Sequence, residues 1–192
     1  QMKLPRSKFV LFPQSTKMIN ALDNKEQLRT KLKIEKDDFV VIYLGVISRW
    51  RNLEFLVQSM GNIVSQDPNV KLLFVGGGND KKRLEKHISD NKLSSKIIFT
   101  GPVPYSEIDP YLNLANIGID PIIPHISMSM GMSTKCLDYM SASKPFIATK
   151  YSPELNKMVS DFACGLIVDY DVVSFSESIL KLSEALNSGC IA

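Results

Sequence analysis

Cysteine, histidine, long apolar runs and excess charge of either sign are all scarce in this chain of 192 residues. Its three cysteines, Cys136, Cys164 and Cys190, are odd in number, scattered, and form no C-x-x-C pair. That excludes a disulfide framework and a cysteine zinc site, and it fits a reducing, cytoplasmic setting. Two histidines, His87 and His125, are too few for a His-rich metal centre. No stretch approaches the roughly 18 uninterrupted apolar residues of a membrane span. The longest candidate, 39–47, is strand-sized and contains Gly45. The amino terminus has no apolar signal-peptide core. It begins with Gln1, which reads as a piece taken from a longer protein. The charge balance is 23 − 20 = +3. So slight a basic bias does not mark a nucleic-acid binder, although it suits an anionic ligand or contact with a membrane surface. Three motifs are also missing. There is no G-x-x-x-x-G-K-[ST] loop, no G-x-S-x-G elbow, and no G-x-G-x-x-G, because position 81 after Gly76-Gly77-Gly78 is Lys81.

What is present is an ordinary globular composition, 44% apolar and 22% charged, which excludes disorder and collagen-like repeats. Length alone suggests about 1.3 domains, one domain with a short extra segment. Short β-branched runs alternate with helical-period segments. Strands are predicted at 39–44, 70–75, 96–100, 116–121, 145–149 and 165–168. Leu53, Leu56, Val57, Met60, Ile63 and Val64 share one helical face. Asn79 is a candidate cap for a charged helix to about Asn91, with His87 on a solvated face. Ile108, Tyr111, Leu112 and Ala115 space as a short helix. Ser133 or Thr134 can cap a helix with Cys136, Leu137 and Met140 inward. Ser152-Pro153-Glu154 is a strong helix start, and Ser174 to Glu177 reads as a capping box with Phe175, Ile179, Leu182 and Leu186 inward. Six strands alternating with helices imply a doubly wound α/β domain, a mainly parallel sheet with helices on both faces. Residues 1–36 are more polar, with one candidate strand at 9–12, and read as a lead-in from something upstream; residues 37–192 form the domain.

In open parallel sheets, ligands bind beyond the carboxyl ends of the strands. The first three strands each end at a glycine, Gly45, Gly76 and Gly101, which either serves a close ligand approach or is an ordinary α/β turn. The first loop carries Arg49 and Arg51, a bidentate phosphate clamp or two solvated arginines. The second informative stretch runs from Pro124 to Pro145. Its helix opens at Ser133-Thr134-Lys135, where free amides and the helix dipole suit an anion. Asp138, one turn on, can accept two hydrogen bonds from a ribose, or is an exposed helical acid. Met128, Met130 and Met132 read as packing or pocket-wall residues rather than a copper site with His125.

In order and spacing, four segments resemble the nucleotide-binding, C-terminal half of the family 4 retaining glycosyltransferases, which have the GT-B fold. They are FVVIYLGVISRWRNLEFLVQSM, VKLLFVGGGNDKKRLEK, IIFTGPVPYSEIDPYLNLANIGIDP and STKCLDYMSASKPFIAT. The last is similar to the family's P-x-K-x-x-E-Y-M-x-x-G-K-P segment. The lead-in resembles the linker after the N-terminal domain. The resemblance implies that Arg51, with Arg49 as helper, contacts the donor diphosphate, and that the amides of Thr134 and Lys135 bind its distal phosphate. It also implies that Asp138 holds the ribose, that backbone around Gly101 and Val103 recognises the base, and that Gly45 is the loop glycine.

The sequence departs from the family's pattern at four positions. Val46 replaces an arginine, Met130 the first of two paired glutamates, Asp138 the second, and Ser143 a helix-end glycine. The first glutamate is the family's contact to the donor sugar; some members of the K-x-x-E-Y-M subgroup also lack it. The implied reaction moves a sugar from a nucleoside-diphosphate sugar to a glycan, lipid or other acceptor, with no metal and no resident cofactor. The acceptor would be met mainly by the missing domain. The rivals are a non-catalytic nucleotide-sugar-binding module, a GT-B epimerase, and a receiver-like signalling domain. The last would need clustered acids where this chain has arginines.

Overall fold

The computed structural model describes residues 16–17, 25–124 and 132–189. Six strands form one sheet in the order β3-β2-β1-β4-β5-β6, every neighbouring pair parallel. They are β1 (Phe39–Leu44), β2 (Val70–Val75), β3 (Ile97–Phe99), β4 (Ile117–Asp120), β5 (Phe146–Thr149) and β6 (Gly165–Val168). Parallel strands are covered on both faces, which is why their sequences run apolar without alternation. All six residues of β1 are buried. The predicted strands stand; the third and fourth are trimmed by one residue at each end and the fifth by one at its start. The candidate strand at 9–12 lies outside the described residues.

The helices are α1 (Lys25–Leu32), α2 (Glu54–Val64), α3 (Lys81–Asp90), α4 (Asp109–Leu114), α5 (Thr134–Ser141), α6 (Pro153–Phe162) and α7 (Val172–Asn187). Odd-numbered residues of β1, Val41 and Tyr43, point to one core with Leu56, Met60, Leu84 and Phe175 from α2, α3 and α7. Even-numbered ones, Val40, Ile42 and Leu44, point to the other with Leu112, Tyr139 and Leu155 from α4, α5 and α6. Period-2 alternation along a strand divides the two cores. α1 packs on α4, and its Arg29 reaches back to the carbonyls of Glu35, Lys36 and Asp38.

Several sequence expectations are corrected. Asp80, not Asn79, precedes α3; it makes no cap bond because Arg83 takes its carboxylate at 2.7 and 2.6 Å. His87 is half-buried rather than solvated, since it borders the stripe formed by Leu84 and Ile88. The capping box at Ser174 is replaced by a cap three residues earlier. Asp171 accepts from the Ser174 amide at 2.7 Å, which places Ser174 inside the first turn. Ser152 caps α6 as read, accepting from Leu155 at 3.3 Å.

The chain runs outward from β1 to β3 and then returns to lay β4 beside β1. Beyond the carboxyl ends of β1 and β4 the two halves of the sheet diverge, and a crevice opens.

Candidate functional site

Two loops and one helix end shape that crevice. The loop after β1 is laced to its neighbour by backbone bonds, Gly45 to Val75 at 3.0 Å and Ile47 to Gly77 at 2.9 Å. Gly76 has φ +143°, and a Cβ there would lie 2.1 Å from the Gly45 carbonyl oxygen, so only glycine fits between these loops. A single 3-10 turn, Arg49–Arg51, follows and ends at Asn52 in the left-handed conformation. The Asn52 amide side chain donates to Tyr170 at 2.9 Å and pins the turn to the α7 side.

The turn separates the two arginines. Arg51 lines a cavity of about 520 Å³, with its guanidinium 4.0 Å from the centre of the exposed Trp50 ring. Its Nε is buried and has no acceptor among the described residues. Arg49 is exposed, does not line the cavity, and its field falls on Asp80. The other walls are Gly45, Gly76 and Gly77 from the loops, and Pro102, Val103 and Tyr105 after β3. α5 contributes Thr134, Lys135 and Asp138. Gly101 supports this wall without lining it, its carbonyl accepting the Gly76 N–H at 3.2 Å. Of the residues singled out from the sequence, Gly45, Arg51, Val103, Thr134, Lys135 and Asp138 therefore meet in one cavity. Met130 and His125 lie outside the described residues, and Met132 packs against the second core.

Asp138 is not the exposed helical acid that the sequence left open: it is 4% exposed. Tyr105 donates to its Oδ1 at 2.7 Å, and Thr16 bonds the same oxygen. Partial burial and, next, the Asp138 carboxylate raise the Tyr105 phenol above its usual range. Lys17 pairs with Asp109, so residues 16–17 are fastened to the rim beside Asp138.

Beneath the cavity lies a polar cluster that the sequence reading passed over. Asp120, at the end of β4, is fully buried. Its Oδ1 is 3.0 Å from Lys135 Nζ, and its Oδ2 accepts from Tyr151 at 3.1 Å and faces Cys136 Sγ at 3.7 Å. Burial first, and then this carboxylate, push the Cys136 thiol and the Tyr151 phenol up, so both stay protonated. Tyr139, fully buried, accepts from the Leu44 amide at 3.2 Å and reaches the Ile119 carbonyl at 3.0 Å. An acid closing an apolar strand, I-G-I-D, was the available signal, because a buried charge demands a partner.

A second cavity of about 570 Å³ lies at the opposite end of the sheet, lined by Asn116, Lys144, Phe162 and Cys164 among others. Helices α5, α6 and α7 turn their carbonyl ends that way, which disfavours an anion. The crevice cavity instead faces the α5 amide end with Arg51 and Lys135. It can hold a phosphorylated ligand, with Asp138 placed for hydroxyls. Among the described residues no three His, Cys, Asp or Glu side chains converge as metal ligands, and no helix is long and apolar enough to cross a membrane.

Known proteins agree with this fold. The alpha-monoglucosyldiacylglycerol synthase of Streptococcus pneumoniae is 26% identical over 145 residues, covering 76% of this chain and 32% of that protein. The enzyme of the same name from Acholeplasma laidlawii is 26% identical over 141 residues, 73% of this chain and 34% of that one. The chain thus spans about a third of the length of these curated relatives. Among solved structures, WaaG, a glycosyltransferase involved in lipopolysaccharide biosynthesis, superposes with a TM-score of 0.75 at 15% identity, over 94% of this chain and 48% of that one. Anabaena HepE in complex with UDP and glucose superposes with a TM-score of 0.70 at 16% identity, over 87% and 43%. The profile of the family described as glycosyl transferases group 1 matches residues 24–187, from just before α1 to the end of α7. The chain belongs to the glycosyl transferases group 1 family.

Proposed function

We propose that this chain is the donor-binding half of a glycosyltransferase that moves a sugar from a nucleoside-diphosphate sugar to a glycan, lipid or other acceptor with retention. The observation that carries the reading is the convergence of Arg51, the α5 amides and Asp138 on one cavity at the switch point of the sheet. Arg51 would clamp the diphosphate, with its unpaired Nε as a ready donor. The amides of Thr134 and Lys135 would meet the distal phosphate, and Asp138 would hold the ribose. The backbone near Val103 would recognise the base. These groups offset the charge that develops on the leaving diphosphate, so the reaction as proposed needs no metal.

Residues 1–36 serve on this reading as the link to a second domain that supplies most of the acceptor site, and the 37–192 unit alone binds donor without turnover. HepE, solved in complex with UDP and glucose, supports a nucleotide-sugar ligand for this fold. A second reading, a binding module that has lost chemistry, is favoured by Met130 and by the shortened acid Asp138.

Titration calorimetry with UDP, GDP and their glucose conjugates tests the proposal. Micromolar binding of one nucleotide, lost on Arg51→Ala, is expected. No binding of any of them would overturn it. Transfer assays on the longer protein separate the enzyme from the binding module.

A further inference from the structure

We infer that Asp120 is a positioning residue for the cavity. Through Lys135 it holds the Ser133 hydroxyl away from the first amides of α5 and so keeps them open to a diphosphate. The inference rests on the donor-binding reading above.

Ser133 stands at the N-cap of α5 with extended backbone, φ −70° and ψ 130°, the geometry in which a serine normally accepts from the second or third helical amide. It makes no such bond. Its Oγ instead accepts from Lys135 Nζ at 3.3 Å. That ammonium is held by Asp120 at 3.0 Å, in a pair whose side chains are 12% and 1% exposed. The other Asp120 oxygen accepts from Tyr151 OH, which itself accepts the Ser133 N–H at 3.2 Å. The hydroxyl and the N–H of Ser133 are therefore both tied to one buried carboxylate. The caps of α6 and α7 behave otherwise: Ser152 and Asp171 accept from their helix amides at 3.3 and 2.7 Å.

α5 is also the helix whose start lines the cavity, together with Arg51. The amides of Thr134 and Lys135 have no acceptor among the described residues. A free Ser133 hydroxyl would compete with a phosphate for the Lys135 amide, and a serine cap bond shifts such an equilibrium about fivefold.

This role makes a prediction opposite in sign to simple electrostatics. Asp120→Asn removes a negative charge next to the cavity, which by Coulomb attraction alone would tighten an anion. If Asp120 positions Ser133, the variant binds UDP or GDP about fivefold more weakly. Ser133→Ala alone leaves affinity unchanged, and the Asp120→Asn/Ser133→Ala double variant regains it. A second readout needs no ligand. Amide hydrogen exchange at Lys135 slows in Asp120→Asn and returns to the wild-type rate in the double variant.

Equal or tighter nucleotide binding by Asp120→Asn, or a double variant no better than the single one, would overturn the inference. If thermal melting shows that Asp120→Asn does not fold, Lys135→Met with and without Ser133→Ala runs the same cycle from the other end of the pair. Regained affinity in that double variant supports the role, and no gain overturns it. If the wild-type chain binds neither nucleotide, the donor-binding reading falls, and the exchange comparison alone decides the role of Asp120.

Discussion

Replacing Tyr139 by Phe removes one oxygen from the centre of the molecule. The ring stays, held between Phe146 at 6.4 Å and the Gly118 backbone, where a Cβ would lie 2.3 Å from its carbons. The hydroxyl is fully buried and serves two strands at once, through the Leu44 amide and the Ile119 carbonyl. β4 pairs with β1 only at Val41 and Ile42, so Leu44 has no strand partner on that side. The variant leaves its N–H buried and unpaired, at about 1–3 kcal/mol, and loses a second bond of about 1 kcal/mol. We expect a loss of about 2–4 kcal/mol in all, a large share of the roughly 5–15 kcal/mol typical of a domain. With a urea slope of about 2 kcal/mol/M, the unfolding midpoint should fall by about 1–2 M at constant slope. Hydrogen exchange at Leu44 should accelerate, while α6 and α7, which do not touch the hydroxyl, keep their protection until global unfolding. A midpoint shift below about 0.2 M would refute the reasoning, since it would mean that the Leu44 amide finds another acceptor in the core.

Other expectations follow from the same geometry. Arg51→Ala should weaken nucleoside-diphosphate binding at least tenfold, by calorimetry, with little change in melting temperature, because its guanidinium lies over the exposed Trp50 ring and makes no hydrogen bond or ion pair among the described residues. Ser143→Gly should stabilise the fold by about 0.5–1 kcal/mol in urea melts. Ser143 has φ +54° in a helix-ending turn where Lys144 N–H reaches Tyr139 O at 2.9 Å, and relief of the left-handed strain exceeds the added chain entropy. Acid should destabilise the chain through Asp80, whose carboxyl the Arg83 guanidinium holds below its usual 3.8. A lowered folded pKa means a contribution present above the unfolded value and lost as pH falls through the folded one. Asp80→Asn should accordingly flatten the stability-against-pH curve below about pH 4, and an unchanged acid limb would count against the pairing.

How legible the fold was depended on how local its causes are. The strands could be read because burial on both faces leaves a continuous apolar run, as in FVVIYL, which needs no partner to be recognised. α1 could not. Its eight residues, KEQLRTKL, offer two leucines on a polar face, and what fixes it is Arg29 bonding carbonyls six to nine residues on. Asp171 and Ser174 are both good cap residues three positions apart. Choosing between them requires knowing where β6 ends, and the register of an edge strand is set by its neighbour.

The site divides along the same line. Glycines at strand ends and an anion-ready helix start are local features, and most of the residues they single out line one crevice. Composition and spacing do not separate Arg49 from Arg51; only the family resemblance puts Arg51 first. A three-residue turn, closed by Asn52 in the left-handed region, aims one into the cavity and turns the other toward Asp80. Asp120 is the more instructive omission. An acid at the end of a wholly buried strand announces that it has partners. Which partners they are depends on β4 lying between β1 and β5. That order brings Lys135 and Tyr151, 15 and 31 residues along the chain, to its two oxygens. The sequence thus carries the demand for a partner, while the topology carries the answer. A site residue that acts through another group becomes visible only once both are known.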